Sequence, residues 1–379
     1  MVSVKLYNKK MKKILIFIIC FLLISLGSAI FRQRQPTRTV SPKPIFPTQI
    51  PTPSVDTPIK ETSAIFVPYW DVSAPNTYFS QYDRIIYFGV SANTNGVDRN
   101  EVGYQSIEAF LSAVPDDKKR LLTLRMLNTE AIYSVLENEK NQDTIIEETV
   151  NLAKQYAFDG IVLDLELSSS LKTDTAGNIN KFVQQFYSGA KKYYIPFSVL
   201  VYGDIFYRGR PYDLAFLAKN SDEIMIMAYD FHKSGGEPGP NFPFGSNKGQ
   251  EYNFQRMISD FISSVPKEKI TVVFGMFGYD WLVDERKLPI RPAKALSLNE
   301  IHTQFFPCDL ENCLVRRDET SSETEINYII SAKTPDEQGV YRIDYHIVWF
   351  EDEESVAIKK EWLREKGMVS TAYWAYGYF

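Results

Sequence analysis

Residues 157–169, AFDGIVLDLELSS, place three carboxylates, Asp159, Asp164 and Glu166, in an otherwise apolar stretch. Because side chains alternate along a strand, Val162, Asp164 and Glu166 share one face. Two carboxylates that face the same way disfavour each other's ionisation, so one of them keeps its proton to a higher pH than usual. Such a proton can be donated to a leaving oxygen near neutral pH. The alternative interpretation is a buried pair held in structural salt bridges.

The elements that would position these carboxylates are eight β-type runs. They cover residues 64–70, 84–91, 120–127, 159–167, 196–202, 223–229, 270–277 and 368–376. Helical patterns lie between most of them, for example at 129–156, 179–193 and 253–264. Eight alternating units predict a closed (β/α)8 TIM barrel. In that barrel Glu166 lies nearest the C-terminal mouth, where the catalytic groups of barrel enzymes gather.

The interval between the seventh and eighth runs is too long for one crossover helix. It contains a helical pattern at 293–304 and two strand-like runs, EINYIISAK and GVYRIDYHIVWF, joined by a polar turn. We therefore predict a small α+β insertion at about 285–349, followed by the last barrel helix at 353–366. This insertion would form one wall of a cleft at the top of the barrel.

The N-terminal segment predicts export. Four lysines between residues 9 and 13 precede an apolar run at 14–31, so residues 1–31 form either a cleaved signal or a membrane anchor. The charge pattern favours an anchor with the remainder exported. Residues 32–62 are rich in proline and threonine and predict a semi-rigid linker. The folded body is expected at 63–379.

The charge of the body argues against nucleic acid as a partner. Residues through Thr62 carry 10 basic and 2 acidic residues, which leaves 32 basic and 45 acidic residues for the rest. An acidic body lacks the basic patches that phosphate binding needs. The 14% aromatic content fits either an aromatic-rich core or a cleft that stacks on sugars.

No residue pattern indicates a metal or an organic cofactor. The three histidines are scattered without ligand spacing, and two cysteines make no metal site. The pair Cys308 and Cys313 is close enough for a small disulfide loop, and two free thiols are the alternative.

Several segments of the sequence resemble a known family. Residues 159–166 resemble the Asp-x-x-Asp-x-Asp-x-Glu signature of family-18 glycoside hydrolases, the chitinase family, with Val162 as the departure. IMIMAYDFH resembles the Met-x-Tyr-Asp of the sixth strand, and TAYWAYGYF resembles the eighth-strand segment with its tryptophan. FGMFGYDW resembles the seventh-strand region, with Phe277 where a tyrosine is usual. The resemblance covers about 64–379, and residues 347–374 look similar to the branch with spore-cortex peptidoglycan hydrolases.

The resemblance implies a substrate-assisted, retaining hydrolysis of glycans that contain N-acetylated sugars. Glu166 would protonate the glycosidic oxygen, Asp164 would orient the 2-acetamido group, and Tyr229 would donate a hydrogen bond to its carbonyl. Further residues implied to bind substrate or line the cleft are Trp374, Asp230, Met227, Tyr69 and Trp70. Each aromatic residue has the alternative interpretation of a packed core side chain. Asp159 is expected to be structural, at the start of the strand.

Val162 leaves two outcomes open. In the family pattern a carboxylate at this position shares a proton with the one at 164, so here Asp164 would couple mainly to Glu166 and the pair would titrate as a unit. The coupling could keep Glu166 a competent acid, or turnover could slow. The alternative function is a lectin-like relative that binds chitin or peptidoglycan without hydrolysis. Retention of Glu166 favours the enzyme, whereas Val162 and Phe277 favour the binder.

Overall fold

The computed structural model describes residues 61–72, 77–169, 172–246, 252–332, 334, 339 and 341–379. The predicted signal or anchor at 1–31 and nearly all of the predicted linker at 32–62 lie outside these residues. None of the helices in the described ranges combines the length and the apolar character that crossing a membrane requires.

Eight parallel strands form a closed barrel. They are β1 (Thr62–Pro68), β2 (Arg84–Asn93), β4 (Lys119–Met126), β5 (Gly160–Leu165), β6 (Phe197–Tyr202), β7 (Glu223–Ala228), β8 (Ile270–Gly275) and β14 (Ser370–Trp374). The sheet closes because β1 pairs with both β14 and β2. A two-residue strand, β3 (Gly96–Val97), pairs antiparallel with the end of β2. The predicted (β/α)8 barrel is confirmed.

Inward-facing apolar side chains form one cluster inside the barrel, called the middle level here. The middle level is apolar and includes Val162, which is fully buried. Its other members include Ala64, Ile86, Leu121, Leu200, Met225, Val273 and Ala372. The odd-numbered residues of β5 pack outward, against the helices. The alternation predicted for β5 is therefore confirmed.

The helices around the barrel follow the strands. They are α1 (Val102–Gln105), α2 (Ile107–Ala113), α3 (Thr129–Leu136), α4 (Glu139–Gln155), α5 (Thr175–Lys191), α6 (Ile205–Arg208), α7 (Leu214–Lys219), α8 (Phe254–Ile262) and α10 (Glu353–Glu365), with single 3-10 turns at Tyr69–Asp71, Thr77–Gln81 and Lys267–Lys269. The helix predicted at 129–156 is two helices. It breaks at Asn138, whose side chain accepts the Asn141 N–H and caps a new helix.

An antiparallel sheet with one helix lies between β8 and β14. Its strands are β9 (Phe277–Val283), β10 (Lys294–Ser297), β11 (Glu311–Arg317), β12 (Thr324–Ser331) and β13 (Ile343–Phe350), in the order β10-β9-β13-β12-β11. The sheet begins at Phe277, upstream of the predicted boundary at 285. The helix predicted at 293–304 was wrong in its first turn, which is β10. Helix α9 (Leu298–Phe305) starts after Ser297, because Ser297 and Glu300 form a capping box.

Two features fix the insertion locally. Cys308 and Cys313 form a disulfide, with their Cα atoms 6.0 Å apart, so the disulfide alternative is the one in the structure. The buried Lys359 of α10 pairs with Glu323 and Glu351 and also donates to the Phe242 carbonyl, 2.6 Å away. Glu323 in turn accepts the backbone N–H groups of residues 241 and 242. The loop after β7 is thereby tied to the insertion and to the last barrel helix.

Candidate active site

The C-terminal mouth of the barrel opens into a cavity of about 420 Å³, which is lined by Asp164 of β5 and by Glu166 just after this strand. Asp164 is buried, with 1% of its surface exposed, whereas Glu166 follows the last residue of the strand and is partly exposed. The predicted Met227, Tyr229, Asp230, Trp70 and Trp374 also line this cavity. The structure therefore brings together most of the residues that the sequence singled out.

Glu166 is held by a residue that the sequence analysis missed. The Tyr202 hydroxyl, on β6, donates a hydrogen bond to Oε2 of Glu166 over 2.7 Å. Burial raises the pKa of the Glu166 carboxyl and the nearby Asp230 adds to it, while the Tyr202 hydrogen bond and the charges of Arg210 and Lys233 oppose the rise. Burial is the largest cause, so Glu166 keeps its proton to a higher pH than a free glutamic acid.

The backbone on both sides of Glu166 is also fixed. The Tyr212 hydroxyl donates to the Leu165 carbonyl over 2.6 Å and accepts the Leu167 N–H over 2.7 Å. The Arg210 guanidinium lies 3.7 Å from the centre of the Tyr202 ring and is itself paired with Asp204. The last residue of β6 therefore positions the carboxyl group of Glu166, and the segment after β6 positions the backbone that carries it.

Asp164 has an unusual environment for a buried acid. Neither of its carboxyl oxygens has a hydrogen-bond partner in the described part of the chain. Burial raises the pKa of Asp164 well above its ordinary value, the charge of Glu166 raises it further, and Arg125 on the neighbouring strand opposes this. Asp164 and Glu166 are thus electrostatically coupled, as the loss of a carboxylate at 162 predicted, but burial is the larger cause of the raised pKa.

The segment after β7 supplies the opposite wall. The Tyr229 ring packs against Phe277, and burial raises the pKa of its hydroxyl, so Tyr229 stays a neutral hydrogen-bond donor. Asp230 has a φ of 60° and accepts the Tyr279 hydroxyl over 2.7 Å. Its N–H donates to Oδ1 of Asn241 over 2.7 Å. These contacts hold Asp230 in a left-handed backbone conformation beside the cavity.

An aromatic floor underlies the cavity. The Trp374 ring at the end of β14 lies 4.6 Å from the Phe88 ring, edge to face, and 5.8 Å from the Phe66 ring. Trp70 is 50% exposed at the rim. Tyr69 was expected in the cleft but does not line the cavity, because its ring packs against Trp70 and under the Arg125 guanidinium.

Asp159 lies at the opposite end of β5. Its Oδ2 accepts the Arg120 N–H over 2.7 Å, which fixes the start of the strand, as expected for a structural residue. His232 has its Nδ1 2.8 Å from the Pro240 carbonyl oxygen and packs beside Phe231. Among the described residues no group of histidine, cysteine and carboxylate side chains could hold a metal ion.

A carboxyl with a raised pKa, a second acid behind it, a neutral tyrosine hydroxyl and an aromatic floor are groups with which a barrel enzyme can bind a sugar ring and protonate its glycosidic oxygen. Fold and site together define a sugar-acting (β/α)8 barrel. The family model for glycosyl hydrolases family 18 matches residues 66–378, and the chain belongs to that family.

Similar proteins include Bacillus glycosylases. The chain is 25% identical over 259 residues to the glycosylase YdhD of Bacillus subtilis, whose name marks it as sporulation-specific, and 31% identical over 160 residues to the cortical fragment-lytic enzyme of Bacillus anthracis. The matches cover 67% and 41% of this chain. The chain spans 55% of the length of the first relative and 31% of the second.

Solved structures confirm the fold. A class V chitinase from Nicotiana tobaccum superposes with a TM-score of 0.70 at 16% identity, over 83% of this chain and 94% of that one. The spore cortex-lytic enzyme SleL of Bacillus cereus superposes with a TM-score of 0.60 at 19% identity, over 84% of this chain and 71% of that one.

Proposed function

We propose that this protein hydrolyses glycans that contain N-acetylglucosamine, with Glu166 as the general acid and base. The observation that carries the proposal is the placement of Glu166. Its carboxyl lies at the cavity, is held by Tyr202, and has a raised pKa. A raised pKa keeps the proton available for a leaving oxygen at a higher pH than a free glutamic acid allows. Family membership and the Bacillus glycosylases and chitinases to which the chain is similar support this substrate class.

The proposed reaction is substrate-assisted and retains the anomeric configuration. Glu166 donates its proton to the glycosidic oxygen as the bond to the anomeric carbon breaks. The carbonyl oxygen of the 2-acetamido group attacks that carbon, Tyr229 donates a hydrogen bond to this oxygen, and Asp164 orients the N–H side of the group. Water then attacks the same carbon, and the Glu166 carboxylate accepts its proton. Trp374 offers an apolar face to the pyranose ring.

The proposed site of action lies outside the cytoplasm. The lysines at 9–13 and the apolar run at 14–31 support export, either through a membrane anchor or by secretion after cleavage. The Pro/Thr-rich residues 32–62 would then separate the barrel from the membrane surface.

A test compares the full chain with Glu166→Gln on chitooligosaccharides and on peptidoglycan. We expect the parent to release reducing ends and the variant to lose about 10²–10⁴-fold in kcat, because an amide has no acidic proton to give. Glu130→Gln, an exposed residue on α3, is the matched control and should keep parental activity. Nuclear magnetic resonance of the first product should show the retained anomer.

A second candidate function is carbohydrate binding without hydrolysis. Val162 and the partnerless oxygens of Asp164 favour it, since Asp164 lacks a carboxyl beneath it with which to share a proton. Tight binding of either glycan by both the parent and Glu166→Gln, without products from either, would replace the hydrolase proposal with this one.

A further inference from the structure

One cation at the mouth of the barrel makes no direct ion pair with any of the described residues. Lys233 lines the same cavity as Glu166 and is exposed to solvent. No salt bridge or hydrogen bond engages its ammonium group within the described ranges. Arg210, the other lining cation, is buried and paired with Asp204. Lys233 therefore differs from Arg210, whose charge is already paired with a carboxylate of the protein.

The backbone that carries Lys233 is fixed. The Gly236 N–H donates to the Lys233 carbonyl over 2.8 Å, and the Gly236 carbonyl accepts the indole N–H of Trp281 over 3.0 Å. The next residue, Ser234, exchanges two hydrogen bonds with Ala293 of the insertion, one from its hydroxyl over 2.6 Å and one to its carbonyl over 2.8 Å. The ammonium group is thus tethered to a defined point on the cavity wall.

No carboxyl group of the cavity pairs directly with Lys233, whose charge acts on Glu166 and Asp230 from a distance and lowers the pKa of both. Asp204 is paired with Arg208 and Arg210. Asp230 accepts the Tyr279 hydroxyl. Asp164 and Glu166 face the interior and the scissile position, and both hold their protons more tightly than free acids do. A cation that is free in such a cleft is available to an anionic group on the bound molecule.

We propose that Lys233 recognises a carboxylate on the glycan, so that the site prefers N-acetylated sugar chains bearing carboxylate substituents over neutral ones. The proposal rests on the proposed function and narrows its substrate class. A peptidoglycan strand offers such a group wherever its muramic acid carries no stem peptide, since the lactyl carboxyl group on that N-acetylated sugar is then free and charged. A chitin strand offers only hydroxyl and acetamido groups. The compact ammonium acts as a point charge and needs no bidentate geometry to serve this role.

The test uses two glycans that differ in one charge. An alternating tetrasaccharide of N-acetylglucosamine and N-acetylmuramic acid is compared with its methyl ester, for the full-length parent, Lys233→Gln and Lys233→Arg. We expect the parent to prefer the free acid and Lys233→Gln to lose about tenfold of the ratio between the two kcat/KM values, as one desolvated charge pair would give. Lys233→Arg keeps the positive charge and should therefore restore most of the preference that Lys233→Gln loses. Lys219→Gln, on the outer helix α7, is the control.

Binding measurements separate this proposal from the hydrolase proposal. The affinity of both glycans is measured by calorimetry in the Glu166→Gln background, with and without Lys233→Gln, where no turnover is needed. A preference for the free acid that disappears with Lys233→Gln supports the proposal. Binding of both glycans at an unchanged ratio overturns the role of Lys233 and leaves the hydrolase proposal standing. In the turnover assay with Glu166 present, an equal loss of kcat/KM on both glycans with a shifted pH-rate profile assigns Lys233 to tuning Glu166 and also overturns the proposal. No binding of either glycan overturns both proposals.

Discussion

Inward-facing carboxyl groups lie at both ends of the barrel interior, and their surroundings shift their pKa values in opposite directions. At the N-terminal end Glu223 is paired with Arg84 over 2.8 Å and accepts hydroxyls from Ser198 and Thr271. At the C-terminal mouth Asp164 has no hydrogen-bond partner among the described residues. The pKa of Glu223 is lowered, because its Arg84 and hydroxyl contacts outweigh burial, whereas the pKa of Asp164 is raised.

The apolar middle level, which includes Val162, separates these two polar ends. Both carboxylates belong to strands of the same sheet and face the same interior, so the difference comes from their partners. A carboxylate whose oxygens are all satisfied stabilises the fold, and one left without partners is available for chemistry on a bound molecule. The comparison thus distinguishes a structural from a catalytic acid within one barrel.

The largest effect on stability is expected from breaking the N-terminal site. Glu223→Gln removes the charge that compensates Arg84, whose side chain is 17% exposed. Losing one partner of a buried pair costs about 3 kcal/mol of unfolding free energy. Because the folded pKa of Glu223 is lowered, its stabilisation is present above the unfolded pKa and is lost as pH falls through the folded pKa.

Urea unfolding of the parent and Glu223→Gln from pH 3 to pH 8 measures this effect. The gap between the two proteins should be widest near neutral pH and should close in acid. The double variant Arg84→Met with Glu223→Gln is the control, since it leaves no uncompensated charge and should lose less than the sum of the single variants. A gap that is independent of pH would contradict the charge argument.

Asp164→Asn should change stability in the opposite direction. The folded pKa of Asp164 is raised, so its contribution to stability is present below the unfolded pKa and is lost as pH rises through the folded pKa. Replacing it with a neutral amide removes that loss. We therefore expect Asp164→Asn to be more stable than the parent at pH 8 and to differ little from it at pH 4.

Scanning calorimetry of both proteins across this pH range tests the prediction, and the same variant should lose activity. A lower Tm for Asp164→Asn at pH 8 would mean that the native carboxylate is stabilised by a partner, which would remove the distinction between the two ends. Glu223→Gln, measured alongside, should show the reverse dependence on pH.

The sequence predicted the strands well because their signal is local. Alternation along β5 was enough to place Val162, Asp164 and Glu166 inside the barrel, and strand lengths matched to within a few residues. The same alternation on β6 pointed to Tyr202, since it lies on the inward face with Ser198 and was not used.

Other site residues depend on contacts that no local pattern carries. Asn241 reaches Asp230 only because Glu323, far along the chain, binds the backbone of its loop. Strand β9 was missed because Gly278 interrupts its β-type pattern. In the folded chain that glycine is required, since a Cβ there would lie 2.3 Å from the Trp349 carbonyl oxygen. For this reason Tyr279, the next residue, was not predicted as part of the site.

Val162→Asp is expected to have the smallest effect of these changes. It is also the most discriminating one, because it places a carboxyl group in the apolar middle level. Val162 pairs in register with Thr123 on β4 and with Ser198 on β6. The Thr123 hydroxyl is buried and has no hydrogen-bond partner in the described part of the chain, so a carboxyl at 162 would meet a donor already in place. It would also lie beneath Asp164, where the two acids could share one proton.

We expect Val162→Asp to raise kcat by about threefold and to broaden the pH profile, since a shared proton lets Asp164 ionise at lower pH. Val162→Asn is the matched control. Its side chain has the same shape as that of aspartate and reaches Thr123, but it cannot exchange a proton with Asp164. In a Thr123→Val background the gain should shrink, since the new carboxyl then lacks its donor. If Val162→Asp and Val162→Asn give the same pH-rate profile, proton sharing is not what position 162 controls, and the valine acts through packing alone.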